Sequence, residues 1–181
     1  MIRPLWVYPL FFMVPPLAAQ TGSVPAPRFL VTFPVVRSSV PVDGRLLLLL
    51  STDSTDEPRN QISDIYETQL IFGRDVEAWA GGRIASVDGR AAGYPVESLR
   101  NVPAGRYRVQ ALLNRYETFR RADGHMVKLP PDRGEGQQWN RKPGNLYSTP
   151  RWIRFDPKRA DVFRIVLDQE IPAIPDPPET K

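Results

Sequence analysis

Apolar residues in this chain recur mostly at every second position, in short runs cut by glycine and proline. A period of two is the signature of strands with one face buried, whereas helices repeat at three to four. The most legible run lies within residues 99–119. Pro103-Ala104-Gly105 makes a turn, after which Tyr107, Val109, Ala111 and Leu113 alternate with Arg106, Arg108, Gln110 and Leu112. That pattern predicts a half-buried antiparallel strand entered through a tight turn. "FLVTFPVV" (29–36) alternates as well, and its Pro34 suggests an edge position or a bulge.

"GRLLLLLS" (44–51) does not alternate. Leucine favours helix, but the run is bounded by turn-forming residues and is too short for a globular helix, so a strand buried on both faces is expected. "TQLIFGRDV" (68–76) and the shorter "GRIASVDG" (82–89) read as further strands. "STPRWIRFD" (148–156) and "DVFRIVLDQEI" (161–171) close the series, with "DPKRAD" between them expected to turn a hairpin. Only residues 94–100 suggest a turn of helix. Together these runs predict an all-β domain over 29–171, an antiparallel sandwich of the immunoglobulin-like or fibronectin-like kind.

Two segments exceed a minimal sandwich. Residues 116–147 connect two strands, and connections beyond roughly 12–15 residues are usually functional or disordered. This one contains "DRGEGQQWNRKPGNLY" (132–147), too aromatic for disorder, so one long ordered loop is expected. Residues 172–181 carry Pro172, Pro175, Pro177 and Pro178, the composition of a semi-rigid spacer.

Composition changes the picture in three places. The chain of 181 residues fits one domain, and its 20 prolines, about twice the usual roughly 5%, agree with many short segments. There is no cysteine, so neither a disulfide nor a lipid anchor on a cysteine is available, and stability must come from the core. The net charge of +4 is spread out: residues 51–77 are mainly acidic and residues 115–142 mainly basic, without the concentrated positive charge of a nucleic-acid binder. At the N-terminus, Arg3, an apolar stretch from Leu5 to Leu17 and Ala18-Ala19-Gln20 have the layout of a secretory signal peptide, residues 1–19, cleaved after Ala19. An uncleaved amphipathic anchor is the alternative. The stretch is shorter than the roughly 20 residues that span a bilayer, so no stable membrane span is expected after processing. Residues 20–28 then form an extended lead-in to an exported, periplasmic or extracellular domain.

The search for chemistry finds little. His125 is the one histidine, and no serine lies in Gly-x-Ser-x-Gly or begins Ser-x-x-Lys. A serine hydrolase needs both a presented nucleophile and a histidine to deprotonate it, so His125 is expected to order its loop rather than to act in catalysis. One histidine without cysteine makes no zinc site. Asp53, Asp56 and Asp64 lack the spacing of a calcium loop and read as a solvated acidic turn. No cofactor, metal or catalytic residue is assigned. The candidate binding or interdomain surface is His125, Arg133, Gln138, Trp139, Asn140, Arg141 and Tyr147. Trp139 stands between two roles. It folds back to anchor the loop, with its N–H on a carbonyl or a flanking amide, or it meets a ligand or another domain.

"DGRLLLLLSTD", the block "NVPAGRYRVQALLNRYETFRRADGHMVKLPPDRGEGQQWNRKPGNLYSTP" and the exit "IPAIPDPPETK" resemble the N-terminal region of bacterial exported esterases. In those proteins a β-sandwich precedes an α/β-hydrolase domain of the esterase D or enterochelin-esterase type. The resemblance runs from about residue 29 to the end. It implies a non-catalytic accessory domain, truncated or excised, whose nucleophile, acid and histidine lie downstream of the Pro-rich segment. The implied partner is an α/β-hydrolase domain in cis or in trans, with a small ester or a sugar as the ligand presented. An independent carbohydrate- or ligand-binding sandwich module is the alternative function.

Overall fold

The computed structural model describes residues 26–62 and 69–175. The signal-peptide segment 1–19, most of the lead-in, Asp64 and the end of the Pro-rich spacer therefore lie outside the described residues. Among the described residues, twelve strands follow one another: β1 (Arg28–Thr32), β2 (Val42–Ser51), β3 (Leu70–Trp79), β4 (Ala85–Val87), β5 (Ala92–Tyr94) and β6 (Gly105–Arg115), then β7 (Glu117–Arg120), β8 (Met126–Leu129), β9 (Leu146–Tyr147), β10 (Arg151–Phe155), β11 (Val162–Val166) and β12 (Gln169–Glu170). They form an all-β sandwich. The large sheet has seven strands, in the order β12-β9-β6-β2-β3-β5 with β10 also paired to β6; the small sheet is β11-β1-β4. A two-stranded ribbon, β7–β8, forms a sheet of its own and is tied to the large one by Lys128, whose Nζ lies 3.1 Å from Asp43 Oδ2 and 3.6 Å from Glu77 Oε1. All pairs are antiparallel except β1 with β11, the first and last strands of the small sheet to form along the chain.

Alternation explains the core. Tyr107, Val109, Ala111 and Leu113 of β6 face inward with Leu46, Leu48 and Leu50 of β2, against Phe29, Val31 and Ile165 of the small sheet. Aromatic rings fill the layer between sheets. Phe29 stacks on Phe163 at 4.8 Å, and Phe33 meets Trp79 edge-on at 4.9 Å, geometries that ring quadrupoles favour. The indole N–H of Trp79 donates to Arg83 O at 3.0 Å, so its polar end is satisfied.

The five-leucine run is a strand buried on both faces, as its lack of alternation requires. Leu47 lies on the outer face of the large sheet with Leu112 and Ile171, in a second apolar cluster separate from the main core. Fully burying a leucine contributes about 1.5–3 kcal/mol, so an uncovered outer face here would forfeit several kcal/mol.

Three local expectations need correction. Pro34 does not mark an edge: β1 is the central strand of its sheet and ends at Thr32, and Pro34 instead leads into a short 3-10 turn over Val35–Arg37. "DPKRAD" is not a hairpin. β10 pairs with β6 in the large sheet and β11 with β1 in the small one, so this turn carries the chain across the sandwich. The physical reason is that Phe155 and Phe163 both point into the core, with ring centroids 6.4 Å apart, and a flat hairpin would place one of them in water. Asp156 holds the arch through Lys158 N, which donates to Oδ1 at 2.9 Å. Finally, the run 161–171 is not one strand, because after β11 the chain crosses back and β12 joins the edge of the large sheet beside β9.

Candidate functional site

The 116–147 connection divides into two parts. Its first part is the β7–β8 ribbon, closed by a turn at Arg121–His125: Arg121 N donates to His125 O at 2.8 Å and Gly124 has φ +86°. That left-handed φ suits glycine, which has no Cβ to clash there. His125 sits at this tip with its side chain 79% exposed and Nδ1 3.2 Å from Asp123 Oδ1. Asp123 Oδ1 also accepts from His125 N at 3.1 Å, so the pair shapes the turn. An Asp–His contact of this exposure lacks the desolvation of a catalytic dyad.

The second part folds down over the outer face of the large sheet. Trp139 and Tyr147 pack on Leu47, Leu112 and Ile171. Trp139 is half-buried rather than enclosed, and what secures it is its main chain: Asn145 Nδ2 donates to Trp139 O at 2.8 Å. Asn145 is fully buried, and its amide also donates to Asn114 Oδ1 at 3.2 Å and accepts from Arg115 N at 3.0 Å. Asn145, more than the indole, is the clasp.

A second clasp comes from the acidic turn after β2. Arg59 Nη1 donates to Asn140 O at 2.6 Å, its guanidinium lies 4.3 Å from the centroid of the Tyr147 ring, and its Nε pairs with Glu57 at 2.7 Å. Beneath it Gln110 is fully buried on β6. Its carbonyl accepts from Arg59 N at 2.9 Å, and its amide donates to Glu57 Oε2 and to Ser148 O, both at 2.9 Å. Every polar atom of the Gln110 side chain thus has a partner, as burial demands. Asp53 and Asp56 serve the same turn. Hydrogen bonds from Thr55 to the first, and from Glu57 N and Asn60 to the second, hold both carboxyls below their usual range.

Between this loop, β7 and the outgoing segment 170–174 lies a cleft of about 670 Å³, lined by Arg115, Glu117, Arg133, Lys142, Gly144 and Ile174 among others. Arg133 pairs with Glu117 across it. Lys142 is only 3% exposed and donates to Arg115 O. Burial pushes its ammonium down to about 8, opposed by Glu135 and Glu117 and reinforced by Arg133 and Arg115. Glu135 is itself buried; its Oε2 accepts from Arg133 N at 2.7 Å, while Oε1 has no partner among the described residues. An unpaired buried carboxyl oxygen is costly.

Of the residues singled out by sequence, the structure gathers Asn140 and Tyr147 under Arg59, sets Trp139 beside Tyr147 on the outer apolar cluster, and places Arg133 at the cleft. Gln138 and Arg141 are exposed on one turn, joined by the Arg141 N to Gln138 O hydrogen bond of 2.9 Å. His125 belongs to the ribbon tip. Sequence reasoning missed Arg59, Gln110, Glu135 and Lys142 as members of the site, and the hydrogen bonds that make Asn145 its clasp. One signal was available: along β6 the outward positions change from Arg106 and Arg108 to Gln110 and Leu112, which marks where the face becomes covered. Among the described residues, no helix is long and apolar enough to cross a membrane. Comparison of the chain with protein-family models, with curated proteins and with solved structures returns no match.

Proposed function

We propose that this chain is a non-catalytic accessory domain that packs against, or presents substrate to, an α/β-hydrolase domain of the exported-esterase type. One observation carries the proposal. The chain leaves the sandwich at Ile171–Pro175 alongside the pinned loop, and that departing segment forms one wall of the charged cleft. A domain packed there would meet a preformed surface containing Arg133 and Glu117. Support also comes from the likeness of residues 101–150 and of the Pro-rich exit to the region that precedes the hydrolase domain in such esterases. The exposed position of His125 at a hairpin tip supports the non-catalytic reading.

The test compares short-chain nitrophenyl ester hydrolysis by this chain alone with hydrolysis by the product of the complete reading frame that encodes it. Turnover is expected only from the latter, weakened when Arg133→Glu disturbs the cleft. A complete frame without a hydrolase domain, or turnover by the chain alone that His125→Ala abolishes, overturns the proposal.

A further inference from the structure

On the outer face of the large sheet, at the end not covered by the loop, β10 lies beside β6 with Trp152 opposite Arg108 and Arg154 opposite Arg106. Tyr107, Val109, Phe155 and Ile153 occupy the inward positions of these strands, so the four named side chains point outward together. Arg106, Trp152 and Arg154 are exposed, and the guanidinium of Arg106 lies 4.6 Å from the Trp152 ring centroid. Arg108 has partners in the carbonyls of Ser54, at 3.1 Å, and Asp56, at 2.9 Å. Neither Arg106 nor Arg154 makes an ion pair among the described residues. Like charges directly opposite on neighbouring strands destabilise a sheet. Two arginines kept in that position are complementary to an anion held between them, since the guanidinium fork matches a carboxylate.

The same pair opens onto a cleft of about 710 Å³ whose other walls include Asp156, Arg159 and Asp161. Those carboxylates discriminate among anions. They accept hydrogen bonds from hydroxyl groups, which an acidic polypeptide of aspartate and glutamate and a DNA backbone both lack. A ring to lie on the indole, a carboxylate for the arginines and hydroxyls for the aspartates are together the chemistry of a uronic acid. We propose that Arg106, Trp152 and Arg154 form a binding site for an acidic, uronate-bearing polysaccharide. The site is separate from the cleft at Lys142 and does not depend on a hydrolase partner.

Affinity electrophoresis and calorimetry of the full chain with polygalacturonate test it, alongside dextran, poly-glutamate and single-stranded DNA. Polygalacturonate is expected to bind at physiological salt at least tenfold more tightly than the other three. The double variant Arg106→Ala with Arg154→Ala is expected to weaken it at least tenfold, and Trp152→Ala severalfold. All three residues are exposed, so thermal midpoints report folding separately, and Arg154→Ala should leave the midpoint unchanged or raise it as the repulsion is relieved. Absence of polygalacturonate binding, binding indifferent to the double variant, or equal binding of poly-glutamate or DNA overturns the site.

Discussion

The two halves of the 116–147 connection are ordered by different means. The β7–β8 ribbon is a backbone ladder whose apolar side chains are largely in solvent: Phe119 faces Val127 across the strands, and Phe119, Met126 and Leu129 are all exposed. Its tie to the large sheet is Lys128, paired with Asp43 at 3.1 Å and with Glu77 at 3.6 Å. The segment 131–147 has little ladder of its own, yet it buries Glu135, Asn140, Lys142 and Asn145. A ladder needs only mutual register, so it tolerates almost any side chain at its surface. A segment without a ladder must satisfy its backbone groups through side chains, and each such side chain becomes hard to replace. The ribbon should therefore be mutationally permissive and the pinned segment brittle.

The largest expected effect is at Asn145. Asn145→Ala removes three side-chain hydrogen bonds and leaves Arg115 N–H and Trp139 C=O without them, at a cost of about 3 kcal/mol. A urea titration in which the midpoint does not move would show that the segment is held elsewhere. Trp139→Ala comes next, at about 2 kcal/mol in the same titration. Full enclosure of the indole would have cost about 3–5 kcal/mol, but this ring keeps one side in solvent and its backbone clasp survives truncation. A loss as large as that of Asn145→Ala would make the ring, not the amide, the principal anchor.

Lys142 sharpens the comparison through pH. Folded, it releases its proton near pH 8; unfolded, near its ordinary 10.5. Between these values the unfolded chain binds more protons, so this lysine makes stability rise with pH, by at most about 1.4 kcal/mol per pH unit. Below pH 8 the penalty for burying the charge is present in full. Denaturation of the parent chain and of Lys142→Met between pH 8 and 10 should show that slope only in the parent. Equal slopes would mean that the ammonium reaches water. The smallest effect belongs to the ribbon: Phe119→Ala and His125→Ala should each change stability by less than about 0.5 kcal/mol. A loss above about 1 kcal/mol from either would show that the ribbon is held to the sandwich by more than the Lys128 ion pairs.

Alternation along β1 and β6, turn residues between runs and the unbroken leucine run were enough to read the all-β class, most strand positions and the order of the 116–147 connection. These are local properties, because a period of two follows from strand geometry alone. The site was legible only in part. Trp139, Asn140, Tyr147 and Arg133 stood out by residue type, but Arg59 and Gln110 come from distant segments and carry no mark of their partnership until the acidic turn is laid over β6.

The division has a physical cause. Sequence by itself determined which faces must be covered: Leu47 and Leu112 cannot stay in water, and Tyr107 must face away from Arg106. Only the tertiary structure decided what covers them. Whether β10 and β11 share a sheet, whether Trp139 or Asn145 secures the loop, and which arginines are left opposite each other are settled by pairings between residues far apart in the chain. Those pairings exchange hydrogen bonds and charges of similar chemistry, so several partners would satisfy each group equally well. Geometry in three dimensions selects one.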